Sequence, residues 1–308
     1  MDVLVTGAAG FIGSNFVHYL LREYEDIGVV SLDALTYAGS KENLNGVLDD
    51  PRHEFVEGDI RNRELVTDLV SDVDAVVNFA AESHVDRSIE GAEPFVTTNV
   101  GGTQTLLDAA RDADVDRFLQ ISTDEVYGQI LDGTFSEADA LNPRNPYAAT
   151  KASADLLAMS YETTYGLPVV VTRTCNNFGP RQHSEKLIPK FIQRAAAGDD
   201  LPVYGDGSNV REWIYVEDNC RALDVVLHEG EVGEVYNVGT AEERTNLDVT
   251  EAIIDAVDGS EEQISFVEDR PGHDQRYALD TAKIKGLGWE PTWTFEEGLA
   301  RTVDYYTE

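Results

Sequence analysis

The chain has 308 residues, 42% of them hydrophobic, with 58 acidic against 23 basic side chains and a formal charge of −35. That length gives one large or two modest domains with ample core, and the charge excludes nucleic acid and anionic membrane as partners, since both would be repelled. The acids are spread along the chain rather than gathered in a tail. Such an even carboxylate coat keeps a protein hydrated and separate in concentrated salt, so a halophilic protein is expected and a disordered one is not.

The first apolar run is Val3-Leu4-Val5-Thr6, followed by Gly7-Ala8-Ala9-Gly10-Phe11-Ile12-Gly13 and then apolar residues at helical spacing (Phe16, Val17, Leu20, Leu21). A strand feeding a helix through a glycine-rich turn leaves the helix N-terminus open for an anion. In such a turn Gly7 permits the bend, Gly10 lets backbone approach a pyrophosphate, and Gly13 permits close helix–strand packing. A second apolar run ends at Asp33, 20 residues past Gly13. A carboxylate there accepts hydrogen bonds from an adenosine ribose and repels a 2′-phosphate, which points to NAD rather than NADP. No basic stretch or long apolar segment precedes the first strand, so neither signal peptide nor membrane span is expected and the cytoplasm is the expected location.

Further apolar runs near 28–32, 53–57, 74–79, 117–122 and 168–174 alternate with helical patterns, the clearest at 95–112 and 146–165. This alternation predicts an α/β fold with a doubly wound parallel sheet of the Rossmann type. Ala75-Val76-Val77-Asn78-Phe79 lacks polar alternation, as expected of a strand covered on both faces. The 95–112 helix contains Gly101-Gly102, which lowers its propensity unless a partner packs closely there, either the nicotinamide end of the cofactor or a second subunit. After residue 176 the rhythm loosens under Pro180, Pro189, Pro202, Gly205, Gly207 and Pro291. A discontinuous division is therefore expected. Residues 1–176 with about 212–240 form the NAD-binding part, and about 177–211 with 241–308 form a smaller substrate-binding domain. Cys175 and Cys220 are the only cysteines, too few for a disulfide framework, and each is expected to be a buried small residue. No metal-ligand spacing recurs, so no metal is expected.

Ligands of such sheets bind beyond the carboxyl ends of the strands. There, after an apolar strand, lies Ser122-Thr123-Asp124-Glu125. Two adjacent carboxyls beside a sugar can divide acid and base work if their environments separate their pKa values. Asn145-Pro146 is suited to open the next helix, as cap and first-turn residue. Tyr147 and Lys151 then share one face, four residues apart. A free phenol titrates near ~10. The ammonium and a cationic nicotinamide are expected to lower that value, fitting Tyr147 to take a hydroxyl proton as the cofactor takes hydride.

These features together resemble the extended short-chain dehydrogenase/reductases, and within them the dTDP-glucose 4,6-dehydratases. Leu35–Gly39, Ala80–Ser88, Asn176–Pro180, Glu185–Pro189, Arg211–Trp213 and Asp269–Asp274 are similar to that family too, so the likeness spans the chain. The resemblance implies C4 oxidation with Tyr147 as base and Thr123 holding the 4-oxygen. Glu125 then removes the C5 proton, Asp124 protonates the departing 6-hydroxyl, and hydride returns to C6. It assigns Phe11, Ile12, Asp59, Ile60, Ala80, Ala81, Ser83, Thr98 and Asn177 to the cofactor, with Asp59 and Ile60 flanking the adenine. To the nucleotide sugar it assigns Ser83, Thr123, Asn176, Lys186, Leu187, Pro202, Tyr204, Arg211, Asn246, Arg270, His273 and Tyr277. Phe178 and the segment Arg181–Ser184 depart from the family's usual tyrosine or proline and are expected at the pocket wall. A homodimer through the helices near 95–112 and 146–165 is also implied.

Overall fold

The computed structural model describes residues 1–269 and 272–307. In chain order its strands are β1 (Asp2–Thr6), β2 (Gly28–Asp33), β3 (His53–Glu57), β4 (Ala75–Asn78), β5 (Arg117–Thr123), β6 (Val169–Thr174), β7 (Asn176–Phe178), β8 (Leu201–Tyr204), β9 (Val210–Tyr215), β10 (Val235–Val238), β11 (Glu243–Thr245) and β12 (Ile264–Val267). The helices are α1 (Phe11–Glu23), α2 (Arg63–Val70), α3 (Val85–Glu90), α4 (Glu93–Phe95), α5 (Thr103–Ala113), α6 (Pro146–Tyr165), α7 (Leu187–Ala197), α8 (Val216–Glu229), α9 (Asn246–Ala256), α10 (Ala282–Lys285) and α11 (Phe295–Thr307).

Seven strands form one parallel sheet in the order β3-β2-β1-β4-β5-β6-β10. The chain runs outward from β1 to β3 and then crosses back to β4. The order therefore reverses between β1 and β4, and the crevice above that point is where such sheets bind ligands. Side chains alternate between two apolar layers, as a period of two requires. Val3, Val5, Val77 and Leu119 pack on one side with Phe16 and Leu20 of α1 and Leu223 and Val226 of α8. Leu4, Val76, Phe118 and Val169 pack on the other with Leu106 and Leu107 of α5 and Ala158 of α6. Both faces are dry, which explains the unbroken apolar runs. Truncating Leu4 or Leu106 to alanine should cost about 2–5 kcal/mol.

The predicted 95–112 helix is not one uniform helix. It comprises α4, a π-helical turn over Val96–Gly102, and α5. A Cβ on Gly102 would sit 2.4 Å from Ile60 Cδ1, so the close partner is a side chain of the same subunit. The π turn buries Asn99. Its side chain accepts from Glu82 N at 2.8 Å and donates to Glu82 O at 3.0 Å and to the Thr150 hydroxyl at 2.9 Å. The segment after β4 is thereby fastened to α6. That helix spans the predicted 146–165. It is capped by Asn145, which accepts from Ala148 N at 2.8 Å, and ended by Gly166 at φ 73°.

The looser second half builds two small sheets. β9 lies between β7, which it pairs in parallel, and β11, which it pairs antiparallel; β8 pairs β12 in parallel. A third apolar cluster joins Phe178, Trp213, Tyr215 and Phe295 to Phe191 of α7, Ile253 of α9 and Leu299 of α11. Phe178 is fully buried here, its ring 5.0 Å from that of Phe295. It belongs to this core and not to the wall of the cleft, because the strand it ends turns its ring inward beneath β9. Both cysteines are buried. Among the described residues no helix is long and apolar enough to cross a membrane.

Candidate active site

The turn between β1 and α1 is shaped by what its glycines exclude. Gly7 has φ 65°, and a Cβ there would lie 2.7 Å from Ala80 N; one on Gly13 would lie 2.3 Å from Gly7 O. Gly10 caps α1 without a side chain, so the first-turn N–H groups point outward with no side-chain acceptor of their own. Asp33, only 8% exposed, accepts from Ala9 N and Leu35 N, both at 2.8 Å. Burial pushes its carboxyl up, and the N–H groups of Leu35, Ala9 and Gly10 pull it back. Gly39 approaches so closely that a Cβ would sit 2.6 Å from Asp33 Oδ1. A turn that only glycine can pack, the bare first-turn N–H groups it presents and the Asp33 carboxyl beside them fit a dinucleotide.

One cleft of about 370 Å³ runs from this turn to the carboxyl end of β6. Its walls include Gly7, Gly10, Phe11, Ile12, Gly13, Asp33, Asp59, Ile60, Ala80, Ala81, Ser83 and Thr98. They continue through Thr123, Asp124, Glu125, Tyr147, Lys151, Asn176, Asn177 and Lys186. On the other side of the turn, after β3, Asp59 is paired to Arg61 at 2.6 Å, which holds its carboxyl below the usual range.

Thr123 ends β5 and caps a short 3₁₀ turn over Asp124–Tyr127, accepting from Glu125 N at 3.3 Å. Its hydroxyl donates to Asp124 Oδ1 at 3.1 Å, while Asp124 Oδ2 is buried without a hydrogen-bond partner. Asp124 is 2% exposed. Burial, then the charges of Glu125 and Glu212, push its carboxyl up to about 8. Asn145, the residue that caps α6, also donates to Glu125 Oε2 at 3.0 Å. One side chain thus ties the acid turn to the helix that carries the phenol.

Tyr147 lies in the cleft wall with its ring edge-on to Phe95 at 6.4 Å. Its phenol is pushed up, by burial first and then by the charges of Glu125 and Asp124; a hydrogen bond with Thr123 acts the other way. The expected lowering by Lys151 is not what the protein itself supplies. Lys151 Nζ donates to Ile121 O at 2.6 Å, and burial pulls the ammonium down to about 8 against the opposing charge of Asp155.

The remaining assigned residues fall into two groups. Lys186 Nζ donates to Ser83 O at 3.1 Å and closes one end of the cleft. Leu187 begins α7 directly behind it, half-buried. The second group lies outside the cleft wall. The Arg211 guanidinium stacks over the Tyr277 ring at 4.5 Å and donates to Asp274 O at 2.9 Å; the Tyr277 hydroxyl donates to Asp274 Oδ2. These groups still reach the acid turn by charge. Arg211 acts to lower Asp124, and Glu125 acts to raise Tyr277. Tyr204 ends β8, 39% exposed and therefore not core, edge-on to His273, whose Nδ1 lies 2.7 Å from Asp269 Oδ1. Pro202 is on β8, and Asn246 starts α9, its N–H bonded to Asn209 O at 2.9 Å. Arg270 lies outside the described residues.

Several wall residues had no assigned role. Tyr37 packs under Arg87 at 4.0 Å and edge-on to His183 at 5.7 Å, and Gln182 and Glu185 join them along the cleft. Arg181, between them and Pro180, turns away and donates to Asn15 Oδ1 at 2.8 Å. Glu212 is buried, accepting from Ala241 N at 2.6 Å and Leu279 N at 3.2 Å. Its closeness to Asp124 depends on strand pairings that no local pattern announces.

A family model described as GDP-mannose 4,6 dehydratase matches residues 4–302. A Haloferax volcanii protein named low-salt glycan biosynthesis protein Agl12 is 74% identical, over 99% of this chain and 98% of its own length. The dTDP-glucose 4,6-dehydratase of Xanthomonas campestris pv. campestris is 51% identical, over 98% of this chain and 92% of its own. Among solved structures, DesIV of Streptomyces venezuelae, a dTDP-glucose 4,6-dehydratase with NAD and TYD bound, aligns at a TM-score of 0.97 and 52% identity, covering 99% of this chain and 97% of that one. Since nearly every residue has its counterpart in such relatives, the chain belongs to the GDP-mannose 4,6 dehydratase family.

Proposed function

We propose that this chain is an NAD-dependent hydro-lyase that converts a nucleoside-diphosphate glucose, with dTDP-glucose favoured, into its 4-keto-6-deoxy derivative. The observation that carries the reading is Asp124. A buried carboxyl with an unpartnered oxygen, beside a second carboxyl and in one cleft with a half-buried phenol, is fitted to hold a proton at neutral pH and deliver it.

When bound, NAD supplies the acceptor for hydride from C4 and its donor to C6. The other roles fall to side chains. Tyr147 takes the proton of the 4-hydroxyl, and Thr123 holds that oxygen. Lys151 stands one helical turn along the same face, and the nicotinamide cation would join its ammonium in favouring the phenolate against Asp124 and Glu125. The 4-ketone acidifies the C5 proton, which Glu125 removes and, after water has left, returns to C5 as hydride adds at C6. Asp124 gives its proton to the departing 6-hydroxyl, so that elimination expels water and not hydroxide.

The glycine turn, Asp33, Asp59 with Ile60, Ala80, Ala81, Ser83, Thr98 and Asn177 hold the cofactor. Asn176, Lys186 and Arg211 supply the polar contacts to the sugar nucleotide's phosphates, helped by Asn246. Leu187, Pro202, Tyr204, His273 and Tyr277 enclose the nucleoside. In this reading residues 1–176 with 212–240 form the cofactor domain, and 177–211 with 241–308 form the substrate domain. The protein is a cytoplasmic homodimer; Val96 on the π turn and Leu156 on α6, 50% and 62% exposed, give the α5/α6 face apolar surface for a second copy. Neither nucleic acid nor membrane is a partner, and the carboxylate coat adapts it to salt.

The test is to supply the purified protein with dTDP-glucose and UDP-glucose at high salt and follow alkali-induced absorbance of the 4-keto sugar. Turnover with dTDP-glucose exceeding that with UDP-glucose supports the reading. Interconversion of hexose configuration without keto-sugar, or no turnover at all, overturns it.

A further inference from the structure

The two halves of the proposed machinery sit on different elements. Tyr147 and Lys151 lie on α6, and Asp124 and Glu125 on the 3₁₀ turn after β5. One buried side chain from a third element touches both supports. Arg173 of β6 is 5% exposed. Its Nε donates to Asp155 Oδ2 at 3.1 Å, and its Nη1 donates to the Tyr127 hydroxyl at 2.9 Å.

Each contact leads to the reacting groups by a short path. Asp155 is fully buried and stands one helical turn beyond Lys151 and two beyond Tyr147 on the same face of α6. Tyr127 closes the acid turn, two residues after Glu125. Its ring stacks on Phe135 at 4.9 Å, and its hydroxyl donates to Asn237 Oδ1 at 2.8 Å. Asn237 is itself buried and donates to Phe135 O at 3.0 Å. A buried ion pair adds little net stability compared with apolar side chains of the same volume, so stability alone does not account for this one. What it does provide is a fixed distance between two supports.

We infer that Arg173 is a positioning residue, holding the Tyr147/Lys151 face of α6 in register with the Asp124/Glu125 turn through Asp155 on one side and Tyr127 on the other. The inference rests on the dehydration reading for what the register is used for, but not for the linkage itself. The linkage has an electrostatic arm as well. Lys151 shares its cleft wall with Tyr147, Asp124, Glu125 and Cys175, and Asp155, which Arg173 grips, stands one turn along its own helix. Asp155 is the one that acts to keep the ammonium charged against burial.

Two conservative variants test the two arms. Tyr127→Phe keeps the ring on Phe135 and beneath the Arg173 guanidinium, 4.8 Å from its centroid, and deletes the hydroxyl that Arg173 and Asn237 share. Its kcat should fall ~10–100-fold with KM unchanged. Reduced dinucleotide should build up during turnover, because oxidation at C4 then outruns elimination. Asp155→Asn is nearly isosteric, and its readout requires no turnover. The chain has six lysines, few enough to resolve in a ¹³C-lysine NMR titration of the protein without substrate. Lys151 should lose its proton about one pH unit lower in the variant than in the wild type. Wild-type kcat and no reduced dinucleotide in Tyr127→Phe would overturn the inference, and so would an unmoved Lys151 titration in Asp155→Asn. Should Asp155→Asn not fold, Tyr127→Phe decides. If the wild type forms no keto-sugar, the dehydratase reading fails separately, and the Lys151 titration still tests the Asp155 linkage.

Discussion

Two carboxyl groups stand beyond the carboxyl ends of neighbouring regions of one sheet, and the protein treats them in opposite ways. Asp33 ends β2 and Asp124 follows β5; they are 8% and 2% exposed. Burial alone pushes both upward. At Asp33 backbone N–H groups converge and oppose the shift, and no second carboxylate stands among its influences. At Asp124, among the described residues, one threonine hydroxyl is the only hydrogen-bond donor, one oxygen has no partner, and Glu125 and Glu212 add like charge. At Asp33 the N–H groups work against the upward push; at Asp124 little does, and the carboxyl is pushed up to about 8, as its proposed role of proton donor requires. Burial is common to both; the donors nearby make the difference.

The largest effect should come from removing the group on which both chemical stages depend. Tyr147→Phe leaves no base for the 4-hydroxyl and should lower both C4 oxidation and keto-sugar formation by at least ~10³-fold, measured as reduced dinucleotide and as alkali-induced absorbance. The double substitution Asp124→Asn with Glu125→Gln should separate the stages. Keto-deoxysugar formation falls ~10²–10⁴-fold, while a single turnover's worth of reduced dinucleotide forms and persists. Full turnover by that variant would show that elimination uses other groups. At the opposite pole of the comparison, Asp33→Asn should leave kcat intact at saturating NAD. It should weaken NAD binding by about 1.5–3 kcal/mol, roughly 10–150-fold, and narrow the preference over NADP. A loss of kcat with unchanged NAD affinity would mean that Asp33 serves the chemistry and not the cofactor.

Much of the cofactor half was legible in the sequence, for a physical reason. Strands covered on both faces read as unbroken apolar runs, and a glycine cradle is a local feature of consecutive residues. The acid turn and the Tyr147/Lys151 face were legible as pieces for the same reason. What could not be read was how distant pieces act on one another. Lys151 beside Tyr147 suggests a lowered phenol, yet burial, and after it the charges of Glu125 and Asp124, more than 20 residues away in sequence, push it up. Arg173 disappears inside the apolar run 168–174, and only the fold brings it to Asp155 and Tyr127. The smaller sheets were the hardest to anticipate. β7 and β11 are three residues each, too short to show a period. Phe178 therefore looked like a wall residue, although it belongs to the core. Gly102 shows a mixed outcome: the need for a close neighbour was legible, and its identity as Ile60 was not.

One effect needs no substrate and is the most direct measure of the contrast between Asp33 and Asp124. An unfolded aspartate titrates near ~3.9, whereas folding pushes Asp124 up to about 8. Between those values the native state holds a proton that the unfolded chain has released. Stability therefore falls as pH rises across this window and levels off once Asp124 ionises in both states. Asp124→Asn removes the titration while keeping the shape. Its stability relative to wild type should match at about pH 4, grow by up to about 1.4 kcal/mol per pH unit, and reach a plateau above about pH 8. Denaturant unfolding at fixed high salt, repeated at several pH values, measures it. High salt is required because unscreened repulsion in a chain of charge −35 would otherwise dominate the pH dependence. A difference that stays constant with pH would mean that the carboxyl is ionised throughout. The proton donor for the departing hydroxyl would then have to be sought elsewhere.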